Sequence, residues 1–130
     1  MWECVYSIAA FGSDIPTQED AMQLIKAIVR PDKVDDVKDA LTALHVAGMT
    51  VSEVRGHGKQ KGHTAIYRGK EYNVSLLPKM QIEVVVTDTV AEDAIRAIVE
   101  SARTGEIGDG RVFVLPVEQS YRIRTGERDL

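Results

Sequence analysis

The stretch from Met22 to Pro31, MQLIKAIVRP, decides how the rest of the chain is read. Leu24, Ile25, Ala27, Ile28 and Val29 form a nearly continuous apolar run that Pro31 stops, which is the pattern of a strand buried on both faces. Downstream, Val34, Val37, Leu41 and Leu44 recur at spacings of three, four and three, opposite Asp35, Asp36, Lys38 and Asp39. That is one apolar stripe of a helix, with Gly48 placed to end it. Thr50 to Val54 reads as a second strand. Gln81 to Thr87, QIEVVVT, reads as a third, with Ile82, Val84 and Val86 on one face and Glu83, Val85 and Thr87 on the other.

A second helix starts at a cap on Asp88 or Thr89, carries Ile95, Ile98, Val99 and Ala102 on one stripe, and ends at Thr104 and Gly105. Arg111 to Val117, RVFVLPV, supplies the last strand, which Pro116 confines to an edge or to its final residues. The order is βαββαβ. Right-handed crossovers then put both helices on one face of a four-stranded antiparallel sheet, an α+β, ferredoxin-like sandwich. The opposite face needs a cover, and its mixed character suits a subunit interface as readily as solvent; self-association through it is the working hypothesis. Residues 1–21 show no sustained period of either kind. They are expected to be a poorly ordered extension or the product of an upstream start codon, leaving one domain over 22–130.

Composition narrows the function classes. The chain has 130 residues, and a core of that size forms without disulfides or a structural metal. The single cysteine, Cys4, excludes an internal disulfide and a cysteine-based zinc cluster. Neither a signal peptide nor an apolar run of membrane-spanning length is present, so a cytoplasmic protein is expected. With 16 Lys and Arg against 20 Asp and Glu, the net charge of −4 argues against a nucleic-acid binder. The charge is uneven, however. Between Arg55 and Lys79 six cations (Arg55, Lys59, Lys61, Arg68, Lys70 and Lys79) face the single acid Glu71. This glycine-punctuated segment joins neighbouring strands and is a functional loop rather than core.

Three features carry chemistry. Thr104 to Arg111, TGEIGDGR, places glycines at 105, 108 and 110, a spacing that lets backbone N–H groups converge on an anion. Taken alone it would be a helix end and a turn; its weight comes from Arg111, Arg122 and Arg124. The last two, one residue apart, would present both guanidinium forks on one face of an extended chain, suited to a polyphosphate or a carboxylate. A nucleotide bound there would lie outside the P-loop solution, with Thr50, Glu83 and the glycine loop serving base, ribose and phosphates. In the basic segment, Tyr67 and Tyr72 stand among charged residues where a partner or a transferase can reach them. His57 and His63 lack a third metal ligand, and His45 reads as a favourable group at a helix C-terminus. No nucleophile has an evident base.

These residues resemble a known family. Gly48 to Lys79 (GMTVSEVRGHGKQKGHTAIYRGKEYNVSLLPK), Thr104 to Val114 (TGEIGDGRVFV) and Arg122 to Glu127 (RIRTGE) are similar, in order and spacing, to the signature regions of the PII nitrogen-regulatory signal proteins. The resemblance runs from Met22 to Gly126. It implies a homotrimer whose sheets face inward, a long T-loop at about residues 57–75, and ATP or ADP in the clefts between subunits. With Mg-ATP it implies 2-oxoglutarate as well. By position it implies nucleotide contacts from Thr50, Gly58, Glu83, Gly108, Asp109, Gly110, Arg111, Arg122 and Arg124. Gln60 corresponds to the residue for Mg2+ and 2-oxoglutarate, Lys79 to the lysine that meets the distal carboxylate, and Tyr72 to the tyrosine that a nucleotidylyltransferase modifies. The implied partners are an ammonium transporter, through which the protein would associate reversibly with the membrane, and nitrogen-regulatory enzymes or kinases. Lys70 stands where some members carry a phosphorylated serine, excluding that modification; Glu106 puts an acid beside the glycine loop.

Two other classes share parts of this pattern. RNA-binding modules of βαββαβ order stack bases on aromatics of the central strands, and QLIKAIV and QIEVVVT contain none. A slow ATPase would need a residue that activates water, and none is evident.

Overall fold

The computed structural model describes residues 21–46, 48–57 and 76–129, together with the backbone of 64–67 and 70–73. Among the described residues the strands and α-helices are β1 (Met22–Val29), α1 (Val34–Ala43), β2 (Thr50–Gly56), β3 (Thr64–Tyr67), β4 (Lys70–Asn73), β5 (Leu77–Thr87), α2 (Asp88–Ala102) and β6 (Gly110–Val117). The main sheet has the order β2-β5-β1-β6 and is antiparallel throughout. Both helices lie on one face of it, so the expected βαββαβ sandwich is present. One pair is additional: β3 and β4 form a hairpin of their own inside the segment read as loop, with Ala65 opposite Tyr72.

The core is built where the two apolar periods meet. Ile25, Ala27 and Val29 of β1 and Ile82, Val84 and Val86 of β5 point at Val37 and Leu41 of α1 and at Ala91, Ala94, Ile98 and Ala102 of α2, and all are buried. The buried stripe of α2 is rotated from the expected one toward Ala91 and Ala94, whose small side chains suit close approach to sheet and α1, while Ile95 packs partly buried at its margin. Leu24, Lys26 and Ile28 alternate onto the opposite face and are only half-buried. Among the described residues no element lies over that second face, so the expected cover on both faces of the strand is seen on one face only.

The helix ends differ from expectation for local reasons. Pro31 opens a 3-10 turn, Pro31–Lys33, that runs into α1, a position where a missing N–H costs nothing. α1 ends at Ala43, well before Gly48. The N–H of Val46 donates to Leu41 O (3.2 Å) and that of His45 to Thr42 O (2.9 Å), a Schellman closure. His45 takes the left-handed position at φ 63°, in place of the usual glycine. The apolar contact between Val46 and the core around Leu41 supports that conformation. At α2 the N-cap is Thr87, without a side-chain cap bond. Its first turn is instead tied to the start of β1 by Asp88 N–H to Ala21 O (3.0 Å) and Gln23 Nε2 to Asp88 Oδ1 (2.7 Å).

Candidate functional site

Antiparallel register assigns each strand residue to a face. Thr50 pairs with Glu83, and Glu83 with Lys26, which pairs in turn with Phe113. Further along, Ser52, Gln81, Ile28 and Arg111 form another row, and Val54 and Lys79 a third. All of these lie on the face away from the helices. Four residues singled out in sequence, Thr50, Lys79, Glu83 and Arg111, are thus on one surface and on three different strands. Lys79 and Arg111 lie toward the end where β1 finishes. Glu83 stands four residues further along β5 from Lys79, roughly 13 Å away, and accepts a hydrogen bond from Gln81 Nε2 (3.2 Å).

The glycine loop meets that same end. Gly105, Gly108 and Gly110 all have positive φ (91°, 103° and 113°), as the spacing predicts. Gly110 is additionally held by space: a Cβ there would lie 1.7 Å from the carbonyl oxygen of Ile28, so the loop enters β6 through a point where only hydrogen fits. Asp109, expected among the nucleotide contacts, turns its carboxylate into the loop itself. Oδ2 accepts from the N–H groups of Thr104 and Gly105 (both 2.8 Å), and Oδ1 accepts from the Thr104 hydroxyl and from Arg30 Nε (3.0 Å). The Thr104 hydroxyl, then the Thr104 amide, outweigh the opposing cost of burial, and with Arg30 and Gly105 hold this carboxyl well below the usual carboxylate range. A carboxylate so engaged organises the loop.

Two cations brace the loop from the sheet. Arg30, immediately after β1, donates from a terminal guanidinium nitrogen to Ile107 O (3.0 Å), and Lys79 Nζ donates to Gly108 O (2.6 Å). Burial pushes the Lys79 ammonium below its ordinary value, Arg30 pushes it the same way, and Asp109 opposes them. Arg30 and Thr104 were not singled out in sequence. The legible signal for Arg30 is its place between a buried run and Pro31: it must leave the sheet where Val29 pairs with Gly110, at the mouth of the loop.

Concave surface flanks the loop on two sides. A cleft of about 410 Å³ lies between the C-terminal half of α2 and the ends of β1 and β6, floored by Val29, Ile98 and Val112 and rimmed by Arg103, Asp109, Gly110 and Arg111. A second, of about 570 Å³, lies beside Lys79 and includes Pro31, Val54, Arg55 and Pro78.

The tail departs from its reading. Arg122 and Arg124 do not lie in an extended chain. Tyr121 bridges to Arg128, and the N–H of Gly126 donates to Arg122 O (2.7 Å) while that of Arg122 donates to Glu127 O (2.9 Å), closing a tight turn. Arg122 is half-buried, its Nε 3.4 Å from Asp129 Oδ2, and Arg124 is exposed on the turn. The argument from shared face is overturned, since it required extended backbone. The tail also starts at the Val117 end of β6, roughly 23 Å from Gly110 by strand length.

Gly58 and Gln60 lie outside the described residues, as do His63 and residues 1–20 of the extension. For Tyr72 the backbone alone is described, in β4. Among the described residues no group of three or more His, Cys, Asp or Glu could hold a metal ion. Among the described residues no helix is long and apolar enough to cross a membrane.

Comparison with known proteins gives one answer. Residues 22–127 match the model of the family described as Nitrogen regulatory protein P-II. The chain is similar to a nitrogen regulatory protein P-II of Rhizobium etli, 53% identical over 108 residues that cover 83% of this chain and 96% of the relative. It is also similar to proteins of the same name from Azospirillum brasilense, 55% identical over 82% of this chain and 96% of the relative, and Cereibacter sphaeroides, 56% identical over 82% and 95%. The sheet order, the two helices on one face and the glycine loop at the start of β6 all fall within the matched span, and the chain belongs to the nitrogen regulatory protein P-II family.

Proposed function

We propose that this nitrogen-regulatory protein is a non-catalytic sensor that binds ATP or ADP and, together with Mg-ATP, 2-oxoglutarate. The observation that carries the reading is the convergence of the glycine loop, Lys79 and Arg111 at one end of the open sheet face, with the loop's own acid, Asp109, turned inward and neutralised. A phosphate chain and a dicarboxylate bring concentrated negative charge, and this end supplies backbone N–H groups and cations to meet it. Thr50 and Glu83 would serve the base and ribose, Gly108 to Arg111 the phosphates, and Lys79 the distal carboxylate. Gly58 and Gln60 complete the set from the basic segment, with Gln60 a ligand of Mg2+. The ion would offset phosphate charge and give the keto acid a site that exists only when ATP is present, so the two ligands are coupled.

Arg122 and Arg124 belong to the same site in a homotrimer. Their hairpin starts at the opposite end of β6 from the glycine loop, which favours arginines donated by a neighbouring subunit. The uncovered sheet face, with Phe113 and Leu115 exposed, supports the same assembly. Occupancy selects among conformations of the T-loop, residues 57–75, and that conformation selects the partner: an ammonium transporter at the membrane, or nitrogen-regulatory enzymes and kinases. Tyr72 is the site at which a nucleotidylyltransferase would act. The protein is otherwise cytoplasmic.

Isothermal titration tests the ligand coupling. 2-Oxoglutarate should bind the full chain with Mg-ATP present and show no heat without it; equal binding in both conditions would sink the proposed coupling.

A further inference from the structure

We propose that Arg30 is a positioning residue of the nucleotide site, which with Asp109 and Thr104 fixes the backbone of the glycine loop in an anion-ready form while not itself touching the ligand. The inference rests on the nucleotide reading above.

The argument starts from peptide geometry. In a trans peptide unit the N–H points opposite to the C=O. Arg30 draws the Ile107 carbonyl toward itself (3.0 Å), and Lys79 draws the Gly108 carbonyl (2.6 Å). The N–H groups sharing those two peptide planes therefore point away from the cations on their carbonyls, that of Gly108 from Arg30 and that of Asp109 from Lys79. Successive N–H groups of this kind can form an anion-binding nest, and positive φ at Gly108 is compatible with one. Without a donor on Ile107 O, nothing in the loop's sequence fixes that peptide's orientation.

Arg30 reaches the loop with both parts of its fork. Nε is 3.0 Å from Asp109 Oδ1, while a terminal nitrogen takes Ile107 O. Asp109 then passes the constraint on, gathering the Thr104 and Gly105 amides and the Thr104 hydroxyl at the end of α2. One guanidinium thus ties the start of the loop to its middle and both to the end of β1, across 79 positions of sequence. The bidentate geometry needs arginine: a lysine would satisfy one acceptor and release the other. Arg30 and Asp109 are each about three-quarters buried, at 22% and 24% side-chain exposure, so the pair is set into the surface rather than swinging over it.

Titration calorimetry of Mg-ATP into the full chain separates the possibilities, with folding checked by circular dichroism and thermal melting. Arg30→Met and Asp109→Asn should each weaken binding roughly tenfold, as for loss of a charged hydrogen bond. Their combination should lose less than the two single losses added together, because part of the action of Arg30 passes through Asp109. Arg30→Lys should recover part of the loss. Thr104→Val, which removes the hydroxyl from the same brace, should weaken binding in the same direction and serves where Arg30→Met does not fold. Losses that add fully in the double variant would show that Arg30 and Asp109 do not share one brace and overturn the proposal, as would wild-type affinity in Arg30→Met or Thr104→Val. Failure of the unaltered chain to bind ATP would remove the nucleotide reading itself, an outcome distinct from either.

Discussion

The two faces of the main sheet are made from the same strands and meet different fates. On the helix face, Ile25, Ala27, Val29, Ile82, Val84 and Val86 are all buried by α1 and α2. On the opposite face, Phe113 and Leu115 each keep 43% of their surface exposed, and Leu24, Ile28 and Val85 are half-buried. Mixed with these apolar groups are Thr50, Lys79, Glu83 and Arg111. The central strands therefore pack fully on the helix face, with Val51 and Val114 of the flanking strands exposed at its margins. The other face combines apolar surface with the residues of the candidate site. The lesson is that the helix face specifies the fold, whereas the open face is where the proposed assembly and the proposed ligand binding would share residues.

The largest test of that division is Ile98→Ala. Ile98 is 1% exposed and joins α2 to β1 and β5. Truncation should cost about 2–5 kcal/mol by denaturant unfolding, since it removes buried apolar surface and leaves a cavity. A loss below about 1 kcal/mol, typical of a surface site, would break the claim that this face holds the fold. Phe113→Asp probes the other side. On the proposed trimer, the charge should abolish assembly, so that light scattering reports one subunit in place of three. The isolated domain should keep its helical circular dichroism and change in stability by less than about 1 kcal/mol. Unchanged mass would show that the open face is not the contact between subunits.

How much of this the sequence discloses follows the range of the interactions. The alternation of Ile82, Val84 and Val86 against Glu83, Val85 and Thr87 predicts the faces of β5 correctly, because period two is a local property. Pro116 likewise places β6 at an edge, where the structure has it. MQLIKAIV misleads for an instructive reason: apolar residues on both faces describe a strand that is covered twice, and the described residues supply one cover. The early stop of α1 at Ala43 is hidden because a histidine, not a glycine, takes the left-handed turn. In the site, the shared face of Thr50, Lys79, Glu83 and Arg111 emerges only from the register of the folded sheet, whereas the positions of the glycines are legible from spacing. The engagement of Asp109 by Arg30 is not, since no periodicity connects groups so distant along the chain. The tail misleads too: spacing implies one face only if the backbone is extended, and hydrogen bonds around Gly126 turn it.

Two arginine–aspartate pairs give the smaller tests, and the contrast between them concerns surroundings rather than chemistry. Arg30 and Asp109 meet at 3.0 Å with the carboxylate also held by Thr104 and Gly105, whereas Arg96 and Asp93 meet at 3.6 Å on α2 with 65% and 61% of their side chains exposed. Because Asp109 is held below its ordinary value in the folded chain, its ionised form contributes stability that is complete above the unfolded carboxylate range. That contribution fades as pH falls below about 4 toward the depressed value. The melting temperature of the wild type should accordingly exceed that of Asp109→Asn at neutral pH, and the gap should narrow through acid titration. A gap that widens on acidification would mean the carboxylate is not the stabilising form. For Arg96→Ala the expected change is less than about 0.5 kcal/mol at any pH, smaller still in salt, because solvent screens both charges and two long side chains lose entropy in pairing. A larger loss there would show that exposure does not set the strength of ion pairs in this fold, and would remove the reason for assigning the glycine loop's order to Arg30.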